Sequence, residues 1–367
     1  MKINFVDLKY RYKTEKNDLN RIYNRVLKSG NLILSNDVLN LENQIAKKLN
    51  VKYCVSLNSG TDALMMALWA LGIKKRDEVI TSTISFIATA GSIAHVGAKP
   101  VFVDCDKYLN IDVNKIEKAI TKKTKAIMPV HWTGRMANIL AIKRIAKKFN
   151  LKIIEDGAQS IGSVYKGYKP GQLSDVATFS AHPLKPLNAL GDGGYLVTNS
   201  KKIYQSIKLY RNHGLKNRDN AEIFGVNSRL DALHAGVISF RLTKLKNVIK
   251  LRERNIKRYK SKIKTKFFRI IDDEKNTQST HAMFVCLAES RDKLNNFLRK
   301  KGIESLIYYG NPLHLHNASK NVYKYKKGDY PVAEDICDKV ISLPFHQGIS
   351  LKKIDFICKT INNFYEK

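Results

Sequence analysis

Residues 53–82 read YCVSLNSGTDALMMALWALGIKKRDEVITS. The β-rich run Tyr53–Leu57 ends in the turn-forming residues Asn58, Ser59 and Gly60. In 61–71, Leu64, Ala67, Leu68 and Leu71 follow the i, i+3, i+4, i+7 spacing of a helix that buries one stripe. A second apolar run of strand length, 79–82, follows. Parallel strands need long crossover connections, so a strand–helix–strand unit of this size predicts a parallel sheet.

The pattern repeats outward. Further strand-like runs occupy 100–104, 126–130, 152–155, 177–180 and 195–198. Between two of them, 140–149 places Ile142, Ile145 and Ala146 inward and Lys143, Arg144, Lys147 and Lys148 outward. Seven runs predict an α/β unit with a mostly parallel seven-stranded sheet between helices. A helical stretch from Arg229 to about Lys264 then changes the pattern. Beyond it, HAMFVCLA (281–288) reads as a strand, 291–301 as a helix ended by Gly302, and 354–365 as a terminal helix. A chain of 367 residues exceeds what one core usually serves. The expected division is therefore a large unit over 1–249 and a smaller α+β unit over 250–367.

Composition narrows the class. The chain is 44% hydrophobic and 26% charged, as in ordinary globular proteins. No apolar run is long enough to span a bilayer, and the first residues lack signal-peptide features, so a cytoplasmic protein is expected. The five cysteines are scattered without metal-ligand spacing, which predicts free thiols and no metal site. The net charge of +33 raises the possibility of a polyanion partner. In its densest part, 244–269, Leu245, Val248, Ile249 and Leu251 keep helical spacing, so the charges are expected on an outer, solvated face. No nucleic-acid-binding motif accompanies them.

Four segments lie where such a sheet presents ligands, at the carboxyl ends of its strands. In 57–62 (LNSGTD), Thr61 is a good N-cap, and the backbone amides and hydroxyls of a helix start suit an anion. In 153–160 (IIEDGAQS), Asp156 follows a strand, where an acid caps a following helix or serves a ligand. In 178–199, Lys185 and Asp192 are the only charges, and a lysine in apolar surroundings loses its proton more easily, as an imine-forming lysine must. The Gly191-Asp192-Gly193-Gly194 turn admits close backbone approach or unusual dihedrals. In 224–236, Asn227 or Ser228 is a candidate cap for the next helix.

These segments together resemble one family. NFVDLK, NSGTDAL, TISFIATA, GAKPVFVD, PVHWTG, IIEDGAQSIGS, FSAHPLKPLNALGDGG, GVNSRLDALHAG and SLPFH occur in the order found in the DegT/DnrJ/StrS sugar aminotransferases. The resemblance implies the fold-type-I architecture and pyridoxal 5′-phosphate as cofactor, with pyridoxamine phosphate as its alternate form. It implies that Lys185 carries the cofactor and Asp156 pairs with the ring nitrogen. Gln159 then approaches the phenolic oxygen, Phe86 stacks on the ring, and Ser59, Gly60, Thr61 and Ser180 form the phosphate cup. Asn227 reaches the phosphate from a neighbouring subunit, so a homodimer with shared sites is expected. His182, Lys216, Tyr308, Tyr309 and His314 are the candidate substrate contacts. The implied reaction moves an amino group from L-glutamate to a nucleotide-linked keto sugar for surface-glycan synthesis, with neither nucleic acid nor membrane as partner.

Some positions depart from the family pattern. Ala181 and His182 stand where an aromatic residue often follows the serine, and Arg241 stands where glutamine is frequent. The segment 306–316, LIYYGNPLHLH, replaces a commoner His-Tyr-Pro pattern. The GDGG turn is similar to members that aminate the third sugar carbon, which points to a dTDP-3-keto-6-deoxyhexose, with a 4-keto sugar as the alternative. A dehydratase variant with histidine at the cofactor-bearing position is disfavoured by Lys185. A non-catalytic, nucleic-acid-binding relative would need none of Lys185, Asp156 and Gln159.

Overall fold

The computed structural model describes residues 2–366. Seven strands form the main sheet: β1 Tyr53–Leu57, β2 Glu78–Ser82, β3 Lys99–Val103, β4 Thr124–Met128, β5 Lys152–Asp156, β6 Val176–Ser180 and β7 Gly194–Thr198. Their order is β1-β7-β6-β5-β4-β2-β3. All neighbours are parallel except those of β7, which runs antiparallel to both β1 and β6. The mostly parallel sheet expected from the seven runs is present, with strand ends displaced by one or two residues.

Helices cover both faces, and side-chain alternation shows how. In β7, Tyr195 and Val197 join a core with Leu41 and Ile45 of helix α1 (Asn36–Leu49) and with Ala235, Ile238, Leu245 and Ile249 of a later helix. Leu196, between them, faces the opposite core with Leu64, Ala67 and Leu68 of helix α2 (Gly60–Ala70). This period of two fixes each strand's register, because a one-residue slip would exchange its faces.

The helical stretch expected over 229–264 is α3, Ala232–Lys262. Neither Asn227 nor Ser228 caps it. Asp231 occupies the N-cap position without a side-chain cap bond, and the Ser228 hydroxyl instead donates to Asn58 Oδ1 at 3.1 Å. Helix α3 gives Leu245 and Ile249 to the first core and Ile256 and Tyr259 to another. That other core includes Phe284, Leu298, Ile303, Ile357 and Ile361, around an antiparallel sheet of Phe268–Ile270, Val285–Ala288 and Val340–Ser342. Position 249/250, the expected boundary, lies inside this continuous helix. Ile3, expected with the first unit, packs in the second core and bridges to Ile303. The strand read over 281–288 is confined to Val285–Ala288.

The Gly191–Gly194 turn works by close approach rather than by unusual dihedrals. None of these glycines has a positive φ, but a Cβ on Gly194 would meet the Ser59 carbonyl carbon and oxygen, both at 2.3 Å. Gly194 pairs with Leu57 on one side and Ser180 on the other, so the ends of β1, β6 and β7 converge there. Gly194→Ala should cost ~1–3 kcal/mol or more by forcing the α2 start away from β7. Gly91→Ala, a helical position with nothing within 4 Å of the added Cβ, should be neutral or stabilising by up to ~1 kcal/mol. Thermal denaturation of the two variants checks both.

Candidate active site

A cavity of about 540 Å³ opens at the carboxyl edge of the main sheet. Its lining includes Ser59, Gly60, Thr61, Phe86, Asp156, Gln159, Ser180, His182, Lys185, Tyr308 and Tyr309. Thirty or more residues separate many of these in sequence; strand ends bring them together.

One end is built by the β1–α2 turn. Ser59, not Thr61, is the N-cap of α2, because its extended backbone lets Oγ accept from the Asp62 amide at 3.0 Å. Thr61 lies inside the first turn, where it and Gly60 present amides without intrahelical acceptors. Ser180, at the end of β6, accepts from the His182 amide through Oγ at 3.3 Å. Both serine hydroxyls are used as acceptors, which leaves their protons for a ligand. Gly60 lies so close to Ser180 that an added Cβ would stand 2.7 Å from Ser180 Cβ. Amides at a helix start with converging hydroxyls form an anion cup.

Asp156 ends β5 and is 5% exposed. It caps no helix: Oδ1 accepts from the Ala158 amide at 3.2 Å, and Oδ2 accepts from the Thr89 hydroxyl at 2.7 Å. The Ser85 hydroxyl stands 2.7 Å from that of Thr89 and completes the relay as donor. Gln159 Oε1 accepts from the Thr133 amide at 3.0 Å, so its NH₂ donors are free to turn elsewhere. His131, which also lines the cavity, accepts at Nδ1 from the Ala137 amide at 3.1 Å, and its Nε2 lies 2.6 Å from Glu155 Oε2. That pattern fixes the tautomer with its proton on Nε2, donated to Glu155.

Lys185 sits in the loop between β6 and β7, and the loop is pinned. Asn188 donates to the carbonyls of Pro183 at 2.7 Å and Lys185 at 2.8 Å. Arg241 Nη1 in turn donates to Asn188 Oδ1 at 2.6 Å and to the Ala189 carbonyl at 2.8 Å. Glu15 holds Arg241 from the far side, Oε2 to Nη2 at 2.6 Å. Burial pushes the Lys185 amine below its ordinary value, and the negative charge of Asp156 pulls back without cancelling this. A neutral amine is a nucleophile and a base; an ammonium is neither.

Other expected positions fall elsewhere. Asn227 is exposed and absent from this cavity's lining. Lys216 lies on an exposed hairpin, paired with Glu222 at 2.8 Å, also outside the lining. His314 is fully buried, with Nε2 held 2.9 Å from Glu334, and does not reach the cavity. Phe86 is 56% exposed and faces Tyr309 across 6.3 Å, while Tyr309 stacks on Trp132 at 6.0 Å. Sequence reasoning missed Thr89, Ser85, Arg11 and Arg252 in the lining. Thr89 and Ser85 lie in the quoted TISFIATA segment, three and one residues from Phe86, and only the fold turns them toward Asp156.

A doubly covered, mostly parallel sheet with a half-buried, desolvated lysine and a buried aspartate at its carboxyl edge defines the architecture of fold-type-I pyridoxal phosphate transferases. Over residues 13–362 the chain matches the DegT/DnrJ/EryC1/StrS aminotransferase family, and it belongs to that family of pyridoxal phosphate-dependent sugar aminotransferases. It is 37% identical to a Geobacillus stearothermophilus "pleiotropic regulatory protein", covering 100% of this chain and 99% of the relative. It is 36% identical to the UDP-2-acetamido-2-deoxy-3-oxo-D-glucuronate aminotransferase of Pseudomonas aeruginosa (98% and 100%). With the dTDP-3-amino-3,6-dideoxy-alpha-D-galactopyranose transaminase of Aneurinibacillus thermoaerophilus it shares 35% identity (99% and 99%). The crystal structure of S. venezuelae DesV in complex with a ketimine intermediate superposes with a TM-score of 0.97 at 32% identity, over 100% of this chain and 99% of that one.

The residues present fit the family's cofactor: an anion cup for its phosphate, a carboxylate at the opposite wall, and a desolvated lysine amine. In the cofactor-free protein, competitive acylation of Lys185 against pH should show a midpoint below the ordinary 10.5. Asp156→Asn removes the one charge that raises it, so the midpoint should fall further. Peptide-resolved mass spectrometry reads both; a midpoint at or above 10.5 would contradict the burial argument.

Proposed function

We propose that the protein transfers an amino group from L-glutamate to the third carbon of a dTDP-linked 3-keto-6-deoxyhexose, for amino-sugar and surface-glycan synthesis in the cytoplasm. The carrying observation is the desolvated Lys185 amine in the same cavity as Asp156, in a loop fixed by Asn188 and Arg241. The GDGG turn and two relatives named for 3-oxo or 3-amino sugars support the position. A purely regulatory protein has no use for an amine whose desolvation costs stability.

When bound, the cofactor supplies an electron-accepting ring. Asp156 would hold the ring nitrogen, Gln159 the phenolic oxygen, and Phe86 the ring face. Ser59, Gly60, Thr61 and Ser180 would hold the phosphate. With the cofactor in place, Lys185 Nζ would serve as the general base for the donor's α-proton and would return a proton to the sugar carbon in the second half-reaction. His182, Tyr308 and Tyr309, at the cavity wall, would contact the sugar nucleotide.

The same reading makes the functional unit a homodimer. Phe224 is fully exposed, and Val226, Leu190, Leu32 and Ile33 are exposed as well, an apolar surface that a second copy would cover. Asn227 lies beside Phe224 and Val226 and so would enter the partner's cup. The large and small units meet within α3, whose two halves serve separate cores.

Glutamate should convert the bound cofactor to its pyridoxamine form, seen in the visible spectrum, and one keto sugar nucleotide should restore the original band. Restoration by a 4-keto rather than a 3-keto sugar would move the assignment to the fourth carbon. A spectrum that no amino donor changes would end the enzymatic reading.

A further inference from the structure

Helix α3 buries Leu245, Ile249, Ile256 and Tyr259, and Arg252 falls on the same stripe, at steps of four, three, four and three residues. The expectation that charges of 244–269 lie outward therefore fails at Arg252, which is 8% exposed. Its surroundings are unlike those of the other buried arginines. Arg241 shares Glu15 with Arg11, Arg211 pairs with Glu42, and Arg291 pairs with Asp292. Among the described residues no carboxylate pairs with Arg252. Its Nη1 donates to the His281 carbonyl at 3.0 Å, and the guanidinium lies 5.3 Å over the Phe345 ring. Its buried Nε has no partner, as in Arg211 and Arg291, so the missing carboxylate is what sets it apart.

Burial, assisted by the charge of Arg11, lowers the Arg252 guanidinium to about 10, so it is still charged at neutral pH. A buried charge without a counterion is costly unless something supplies one. Arg252 lines the same cavity as Lys185 and Asp156. With Nη1 engaged and Nε enclosed by protein, Nη2 remains to donate to a carboxylate oxygen in a charge-assisted hydrogen bond.

We propose that Arg252 is the anchor for a carboxylate of the amino donor, an inference that rests on the transaminase reading of the cavity. Cavity and helix together explain why an arginine occupies a core position: the donor brings the missing negative charge. Phosphate oxygens of the sugar nucleotide share this chemistry. A diphosphate, however, carries bulk at both ends and suits the exposed mouth beside His182, whereas a small amino acid can place its carboxylate against a buried guanidinium. Arg11, whose Nε is held by Glu15 at 3.1 Å, lines the cavity too and adds positive potential.

The test is calorimetric titration of the pyridoxal phosphate-loaded protein with glutarate, which has glutamate's carboxylates but no amino group to react, and separately with dTDP. In Arg252→Gln the dissociation constant for glutarate should rise about 10–100-fold, the loss of a charge-assisted pair, while that for dTDP changes less than about twofold. Arg252→Lys keeps the charge but not the planar group held by the His281 carbonyl and the Phe345 ring, and should lose about tenfold with the cofactor spectrum unchanged. The glutamate concentration needed for half-maximal conversion of the cofactor should rise in parallel. Unchanged glutarate affinity in both variants would overturn the proposal while leaving the transaminase reading intact. A loss confined to dTDP would assign Arg252 to phosphate and overturn the carboxylate role. A wild-type protein that holds its cofactor, binds no glutarate and reacts with no amino donor would overturn both.

Discussion

The site depends on the burial of one amine against the pull of one carboxylate. Lys185 is lowered by desolvation more than Asp156 raises it, and that balance requires a loop that cannot swing the side chain into water. The loop is held by backbone carbonyls that satisfy Asn188, and Asn188 is held by Arg241. Arg241 is itself 7% exposed and neutralised by Glu15 of the N-terminal helix Leu8–Ser29. A buried arginine whose donors are spent on carbonyls, an amide and a carboxylate is stabilising only as a complete set. Arg241 thus connects the N-terminal helix to the loop that carries Lys185.

Sheet geometry supplies the rest. The parallel strands point their carboxyl ends one way, and antiparallel β7 brings its amino end to the same edge. Gly194 can then lie against the Ser59 carbonyl, closing the anion cup beside Ser180. Asp156 arrives at that edge because β5 ends there. Its orientation comes from Thr89, at the start of the helix Ile87–His95. Anion cup, carboxylate and amine are thus placed by three different connections of one sheet, and a shift of any strand by one residue would misplace its contribution.

Much of this was legible in the residues. Apolar runs of strand length separated by 3.6-period helices mark the sheet, because both faces of a parallel sheet must be covered. Lys185 stood out by isolation, as a single cation among small and apolar neighbours. Less legible were features decided by local competition or distant packing. Two hydroxyls, Ser59 and Thr61, flank the helix start, and only the extended backbone at Ser59 decides which one caps. His314 lies in a segment that reads as substrate-facing, yet Glu334, twenty residues on, draws it into the interior. Arg252 was hidden in a run of charges, where periodicity alone would have flagged it: it continues the stripe of Leu245 and Ile249. Asn227 is exposed, and within one chain only its backbone is engaged, bridged to Asn212, so nothing there marks a role for its side chain.

The Lys185 amine, and no other of the chain's many lysines, is expected to bear the cofactor. Reductive trapping with borohydride after loading with pyridoxal phosphate, followed by peptide mapping, tests it most directly. A single stoichiometric adduct on Lys185 is expected, lost in Lys185→Ala without transfer to another site. A stoichiometric adduct on a different lysine, or none on a well-folded protein, would contradict it.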